Sequence, residues 1–125
     1  MLLLAHDDVA GLLAPEEIIE AMREVLLEQS KGLVQVPPST TVDSSSGFGW
    51  LRTMPAILNG SKVMGFKAMH STPGVGVGYF VDLYDLPSGE LLAMMDADWL
   101  TAQRTAATAA IGVDVLARTL ARLAE

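Results

Sequence analysis

Gly65-Phe-Lys67-Ala-Met69 and, further on, Leu100-Thr-Ala-Gln-Arg104-Thr-Ala-Ala-Thr-Ala-Ala110 decide how this chain is read. The first run reads as a strand: Lys67 and Met69 fall on one face, and Phe66, Ala68 and His70 on the other. The second is rich in alanine and reads as a helix with Arg104 in its first turn or so. Between them lies a hairpin. A strand that carries one lysine is thus folded back toward a helix that carries one arginine.

The neighbouring residues extend that pattern. Lys62 to His70 makes the strand around Lys67. Phe48 to Leu58 reads as the strand before it, with Trp50, Arg52 and Met54 on one face, and Asn59-Gly60 as the hairpin turn between the two. Antiparallel pairing across that turn brings either Arg52 or Met54 beside Lys67, depending on register. After Lys67, Ser71 to Gly78 reads as a loop and Tyr79 to Tyr84 as a strand. Asp85 to Gly89 reads as a turn, and Glu90 to Met95 as the return strand. Asp96 or Asp98 then caps a long last helix. Its packing face is expected at Ala102, Ala106, Ala109, Val113, Leu116, Leu120 and Leu123, and Arg118 and Arg122 suit its negative end.

Toward the start, Asp7 or Asp8 caps a short turn, Val9 to Leu13. Pro15 opens a helix with Ile18, Met22, Val25, Leu26 and Gln29 on one face, and Gly32 ends it. Pro37-Pro38 bars an interior strand over Val34 to Val42 but permits an edge strand. Asp43 to Gly47 is a loop tip. The expected architecture is α+β: a mostly antiparallel sheet with an N-terminal helix and a long C-terminal helix packed on it.

Composition narrows the function classes. The chain has 125 residues, 50% hydrophobic and 18% charged, which is the make-up of one globular domain. A formal net charge of −7 argues against nucleic acid and anionic membrane surfaces as partners. There is no cysteine, so disulfides and thiolate chemistry are excluded. Met1-Leu-Leu-Leu-Ala lacks a basic start and soon meets Asp7-Asp8, a poor signal peptide. No run approaches the ~20 apolar residues of a membrane span, so a cytoplasmic protein is expected. His6 and His70 lack the spacing and acidic company of a metal site, and His70 reads as a structural histidine. Gly74-Val-Gly76-Val-Gly78 does not open a helix after a strand, so it is not read as a phosphate loop. Met54, Met64, Met69, Met94 and Met95 read as core or dimer-interface packing.

Three cations remain as candidate chemistry. Lys67, mid-strand among apolar neighbours, either extends its ammonium to water or lines a pocket and pairs a carboxylate. Arg104 either holds an anion near a helix start, with Thr101 and Thr105 at hand, or pairs internally with Asp96 or Asp98. Arg52 is either a third ligand-binding cation or a surface arginine stacked on Trp50.

The order and spacing of Met54-Pro-Ala56, Gly65-Phe-Lys67, Tyr84-Asp85, Ser88-Gly89, Leu92 with Asp96, the Leu100 to Ala110 run and Leu116-Ala-Arg118 resemble the ornithine cyclodeaminase/mu-crystallin family. The resemblance spans nearly the whole chain but only about the first third of a typical member. It implies an NAD- or NADP-dependent enzyme acting on an amino or cyclic imino acid; members include cyclodeaminases, alanine dehydrogenases and ketimine reductases. It implies that residues 1–125 are the substrate-binding and dimerisation domain, a homodimer in which sheets of two subunits close together. Lys67 and Arg104 would then grip a small amino, imino or keto acid by its carboxylate, with Lys67 as the catalytic lysine beside the reacting carbon. Arg52, Met54 and Thr105 would join them as substrate-binding residues.

The sequence departs from the family pattern in three places. No basic residue lies in Pro37 to Thr41, where many members carry a further carboxylate-binding arginine. Arg52 stands where ornithine enzymes carry a glutamate, so a diamino acid is disfavoured. Arg52 either replaces the missing arginine or selects a second acidic group. Residues 1–125 contain no Rossmann domain with its Gly-x-Gly-x-x-Gly turn, so this chain alone is expected to bind no NAD(P) well and to perform no redox turnover. The alternative reading is a stand-alone, non-catalytic dimer that binds a small carboxylate. A third is a structural or interaction module whose cations only pair internally.

Overall fold

The computed structural model describes residues 1–123. In chain order the elements are β1 (Leu2–Leu4), α1 (His6–Val9), α2 (Pro15–Ser30), β2 (Val34–Gln35), β3 (Thr40–Asp43), β4 (Trp50–Leu58), β5 (Val63–Thr72), β6 (Gly76–Asp85), β7 (Leu91–Asp96) and α3 (Asp98–Leu123). The strands form one sheet of 7 in the order β1-β7-β6-β5-β4-β2, with β3 also paired to β4. Every pairing is antiparallel except β1 with β7. The fold is α+β, as the alternating runs require. No described helix is long and apolar enough to cross a membrane.

Local chemistry explains the helix ends. α1 begins earlier than expected, with Ala5 rather than an aspartate at its N-cap. Asp8 acts from the third helical position, where its carboxylate accepts the Ala5 N–H at 2.9 Å. Glu17 does the same for the Ala14 N–H at 2.7 Å, with Pro15 at the first helical position of α2. Gly32, at φ 72°, ends α2: its N–H donates to the Gln29 carbonyl and that of Leu33 to the Glu28 carbonyl. At α3 the Asp96 carboxylate accepts the Asp98 N–H at 3.1 Å, so Asp96 serves the cap.

The hairpin between β4 and β5 corrects the expected turn. Leu58 pairs with Val63, so Asn59 to Lys62 form a four-residue loop rather than a two-residue turn. Lys62 takes the left-handed conformation there, at φ 56°. A two-residue turn would have set Arg52 opposite Lys67. The longer loop sets Met54 opposite Lys67 and Arg52 opposite Met69. β6 also begins earlier than expected, at Gly76, because its pairing with β5 runs on to Thr72, and the His70 ring lies against Gly78.

The small core joins α1, α2 and α3 to the sheet through Val9, Ile18, Ala93, Ala97, Ala107 and Ile111. Ala93 lies on the face of the sheet that also carries Lys67. On α2, Ile18, Met22 and Val25 pack inward as expected, while Leu26 and Gln29 are exposed. On α3 the expected stripe is the wrong one. Gln103, Ala107, Ile111 and Asp114 turn inward, and Val113, Leu116 and Leu120 are exposed; the side chain of Leu123 lies outside the described residues.

One ion pair ties the two long helices together. Arg23 Nη2 donates to Asp114 Oδ2 at 2.9 Å, and Arg118 Nε to Oδ1 at 2.9 Å. Arg23 foremost, with Arg118, holds the Asp114 carboxyl below the ordinary carboxylate range. A carboxyl depressed in the folded state stabilises above its unfolded pKa of about 4, and that contribution is lost as pH falls through the folded value. Asp114→Asn is therefore expected to flatten the acid limb of a melting-temperature profile below about pH 4. Parallel acid limbs for the two proteins would contradict this.

Candidate carboxylate site

The helix that carries Arg104 packs against β6, the strand beside Lys67 on β5. Lys67 stands at the middle of β5, between Met54 of β4 and Val81 of β6. Its Nζ lies 5.6 Å from the centre of the Tyr79 ring, so the side chain leans toward β6. Burial, and after it the positive charge of Arg104, lower the Lys67 pKa from its ordinary 10.5. The Arg104 charge is therefore felt at Lys67, although the two are far apart in sequence. Arg104 sits in the second turn of α3, not the first, because the helix starts at Asp98. The helix dipole acts mainly within the first turn, so Arg104 must recruit an anion by its own charge.

The ion pair with Asp96 or Asp98 that is one alternative for Arg104 is not formed. Among the described residues, salt bridges join His6 to Asp96 and Asp114 to Arg23 and Arg118, and no carboxylate pairs with Lys67, Arg104 or Arg52. Asp96 is engaged with the Asp98 N–H and, at 3.4 Å, with His6 Nδ1. Two cations that repel each other, with no internal acid between them, cost free energy until an anion joins them.

Lys67 borders a shallow hollow of about 240 Å³ whose lining includes Met54, Ala56, Gly65, Val81, Asp82 and Leu83. Met54 lines this hollow. Thr105 is on an exposed part of α3, and its hydroxyl donates to the Thr101 carbonyl at 2.7 Å, which leaves its oxygen lone pairs to accept. Arg52 lies on the same sheet face, one pairing row from Lys67. Its guanidinium carbon is 5.6 Å from the Trp50 ring centre, and its Nε donates to Thr41 Oγ1 at 2.9 Å.

Two participants escaped sequence reasoning. Tyr79 was placed at a strand start, so nothing marked it as the ring beneath Lys67. Thr41 looked like part of a proline-broken edge, yet β3 pairs it directly with Arg52. Thr41 also belongs to the Pro37 to Thr41 segment that lacks the family's extra arginine, so Arg52 reaches the space beside that segment. His70 is exposed and stacks on Phe80 at 6.4 Å between ring centres. No group of three potential metal ligands occurs among the described residues.

A model of the ornithine cyclodeaminase/mu-crystallin family matches residues 1–124. Alanine dehydrogenase of Archaeoglobus fulgidus is 34% identical over 123 residues, covering 94% of this chain and 37% of that protein. Among solved structures, Thermococcus litoralis Δ1-pyrroline-2-carboxylate reductase in complex with NADH and L-proline is similar with a TM-score of 0.82 at 29% identity. That likeness covers 90% of this chain and 37% of the reductase. An archaeal alanine dehydrogenase dimer with bound NAD gives a TM-score of 0.81 at 30% identity, covering 90% of this chain and 36% of that one. The chain thus spans little more than a third of the length of these relatives.

The described residues do not fit a dinucleotide. Gly74, Gly76 and Gly78 lie where β5 turns into β6, so they open a strand and not a helix. α2 and α3 are entered from Ala14 and Ala97, with no glycine-rich turn whose N–H groups would cradle a pyrophosphate.

Proposed function

The chain belongs to the ornithine cyclodeaminase/mu-crystallin family, and from that premise we propose that residues 1–125 form the substrate-binding and dimerisation part of an NAD(P)-dependent enzyme acting on an amino or imino acid. The observation that carries this reading is Lys67 beside an apolar hollow, on the strand next to β6 against which the Arg104 helix packs, with no carboxylate paired to either cation among the described residues. Arg104 supplies a planar fork suited to two carboxylate oxygens, and Lys67 a point charge beside it. A lysine with a lowered pKa also gives up its proton more readily, which suits it to proton transfer at a carbon next to the bound carboxylate. The nicotinamide chemistry belongs to parts that these residues do not supply, and we assign them no hydride transfer of their own.

Calorimetric titration of the chain with small amino and keto acids tests the grip. Saturable binding is expected, weakened roughly 10–100-fold by Lys67→Gln, since a hydrogen bond to a charged group contributes about 1.5–3 kcal/mol. The pH dependence has a definite sign. Only protonated Lys67 attracts the anion, so affinity falls as pH rises through the lowered Lys67 pKa, and binding takes up a proton in that range. A Lys67→Gln variant that keeps both the parent's affinity and its alkaline decline would sink this assignment.

Dimerisation is supported by surface left uncovered. The chain exposes 8411 Å², against about 6,500 Å² for a compact monomer of its mass. On the sheet face away from Lys67, Leu3, Leu51, Phe80 and Met94 are exposed by 68%, 49%, 48% and 39%. An apolar face of that kind suits a second copy. One further reading is a dimer that binds a small carboxylate without turning it over. An assay of nicotinamide absorbance with the bound acid separates the two.

A further inference from the structure

We propose that Tyr79 is a positioning residue of this site: the face of its ring holds the Lys67 ammonium where a bound carboxylate would meet it. The proposal rests on the reading of Lys67 as part of the carboxylate grip.

The register explains the contact. Lys67 of β5 stands opposite Val81 of β6, and Met69 stands opposite Tyr79. Tyr79 is therefore the diagonal neighbour of Lys67 on one sheet face, about 7–8 Å away along the backbone, a span that a long side chain and an aromatic ring bridge. Lys67 Nζ lies 5.6 Å from the ring centre, inside the ~6 Å over which a ring face attracts a cation. Val81, the direct partner, offers no such attraction.

The backbone of Tyr79 is fixed at a junction shared by both cations. Its carbonyl accepts the Ala97 N–H at 3.0 Å, and the Ala97 carbonyl accepts the Thr101 N–H at 2.8 Å. Ala97 is fully buried and directly precedes α3. The ring beside Lys67 is thus tied to the start of the helix that carries Arg104.

Electrostatics give the ring a role. Among the described residues no carboxylate pairs with Lys67. Asp82 pairs with Phe66, one position off the Lys67 row, so alternation turns it to the other face of the sheet. On the Lys67 face, Asp43 in the row of Trp50 and Asp85 in the row of Val63 lie four residues along the strands, about 13 Å away. Nearer are cations: Arg52 lies diagonal to Lys67 on β4, and the Arg104 charge reaches it from α3. Burial and that charge both favour loss of the Lys67 proton. A ring face favours the charged form and so works against them. It also restrains a flexible four-carbon stem before the ligand arrives, which lowers the ordering cost of binding.

The test compares the parent with Tyr79→Phe and Tyr79→Leu. Side-chain NMR follows Lys67 through a pH titration without ligand, and calorimetry measures binding of pyruvate. Tyr79→Leu removes the ring and is expected to lower the Lys67 pKa further, the reverse of what removing a neighbouring cation does. The alkaline decline of affinity should then begin at lower pH, and pyruvate should bind about 2–5-fold more weakly. Tyr79→Phe keeps the ring face and should match the parent in all three readings. A Lys67 pKa that stays in place or rises in Tyr79→Leu would overturn the proposal. So would a Tyr79→Phe variant that behaves like Tyr79→Leu, because the hydroxyl and not the ring face would then be at work. If the parent binds no acid, or Lys67→Gln binds pyruvate as tightly as the parent, the underlying grip falls and the positioning role with it, whatever the NMR titration shows. Circular dichroism melts check the fold, and Tyr79→Ile, a better strand former, repeats the comparison if Tyr79→Leu melts early.

Discussion

Arg104→Ala abolishes measurable carboxylate binding in calorimetry while the melting temperature stays at or slightly above that of the parent. The loss comes from removing a planar donor that can hold both oxygens of one carboxylate, about 3 kcal/mol or roughly 100-fold in affinity. Stability is spared because Arg104 is exposed, makes no ion pair among the described residues, and gives way to the best helix former. A second readout follows from the electrostatics. Burial is the larger cause of the lowered Lys67 pKa and Arg104 the smaller, so the variant should raise that pKa part of the way back toward 10.5. Side-chain NMR of Lys67 reports it. Unchanged affinity in Arg104→Ala would remove the arginine from the site, whatever its proximity.

Gly65→Ala lowers stability by about 3 kcal/mol, or roughly 10 °C in melting temperature for a chain of this size. Gly65 lies two residues before Lys67, on the same face, between Ala56 of β4 and Leu83 of β6. A Cβ built there meets the Asp82 carbonyl oxygen, a backbone atom that cannot swing aside like a flexible side chain. Next to this point β6 shifts register against β7 between Leu83 and Tyr84. β5 and β6 must therefore move apart, and β5 carries Lys67. Ligand affinity should fall together with stability, which thermal unfolding and calorimetry would show. A melting temperature within about 2 °C of the parent would mean that the sheet absorbs the methyl group freely.

The strands around Lys67 were readable because alternation marks both their existence and their faces. Trp50, Arg52 and Met54 lie on one side of β4 as their spacing demands, and Lys67 and Met69 share one side of β5. Pairing depends on loop length, which is why Asn59-Gly60 misled: the dipeptide marks a turn but does not say that Ser61 and Lys62 join it. β1 gave no signal, since Leu2-Leu-Leu4 has no alternation and its partner, β7, lies near the other end of the chain. The glycines before Tyr79 read as a loop, yet β6 includes Gly76 and Gly78, because they pair with Thr72 and His70 of β5. On α3 two stripes compete. The stripe with the larger apolar residues was chosen, but Ala107 and Ile111 are buried and Gln103 and Asp114 flank them. Size of side chain argued one way, and the Arg23–Asp114 tie between the helices settled the other.

In the site, residue type was legible and assembly was not. Lys67 and Arg104 each carried an alternative, water for the first and a local aspartate for the second. Neither can be decided from spacing, because the answer depends on where β6 and β7 return the chain. Folding engages Asp96 with His6 and the start of α3 and leaves Arg104 to Lys67.

The two margins of the sheet carry a consequence for how this protein meets its own copies. One margin is β1, only 3 residues long. The other is split: β2 and β3 cover different parts of β4, and between them lie Pro37 and Pro38, which have no N–H to offer a new strand. Neither margin is a long template for further strands, so the sheet is poorly suited to growing sideways into a fibre. Crowding two copies together favours contact through the flat apolar side instead, and such contact stops at a pair because it uses up the surface that made it. The interruption at Pro37-Pro38, which first looked like damage to a strand, thus separates finite assembly from open-ended aggregation.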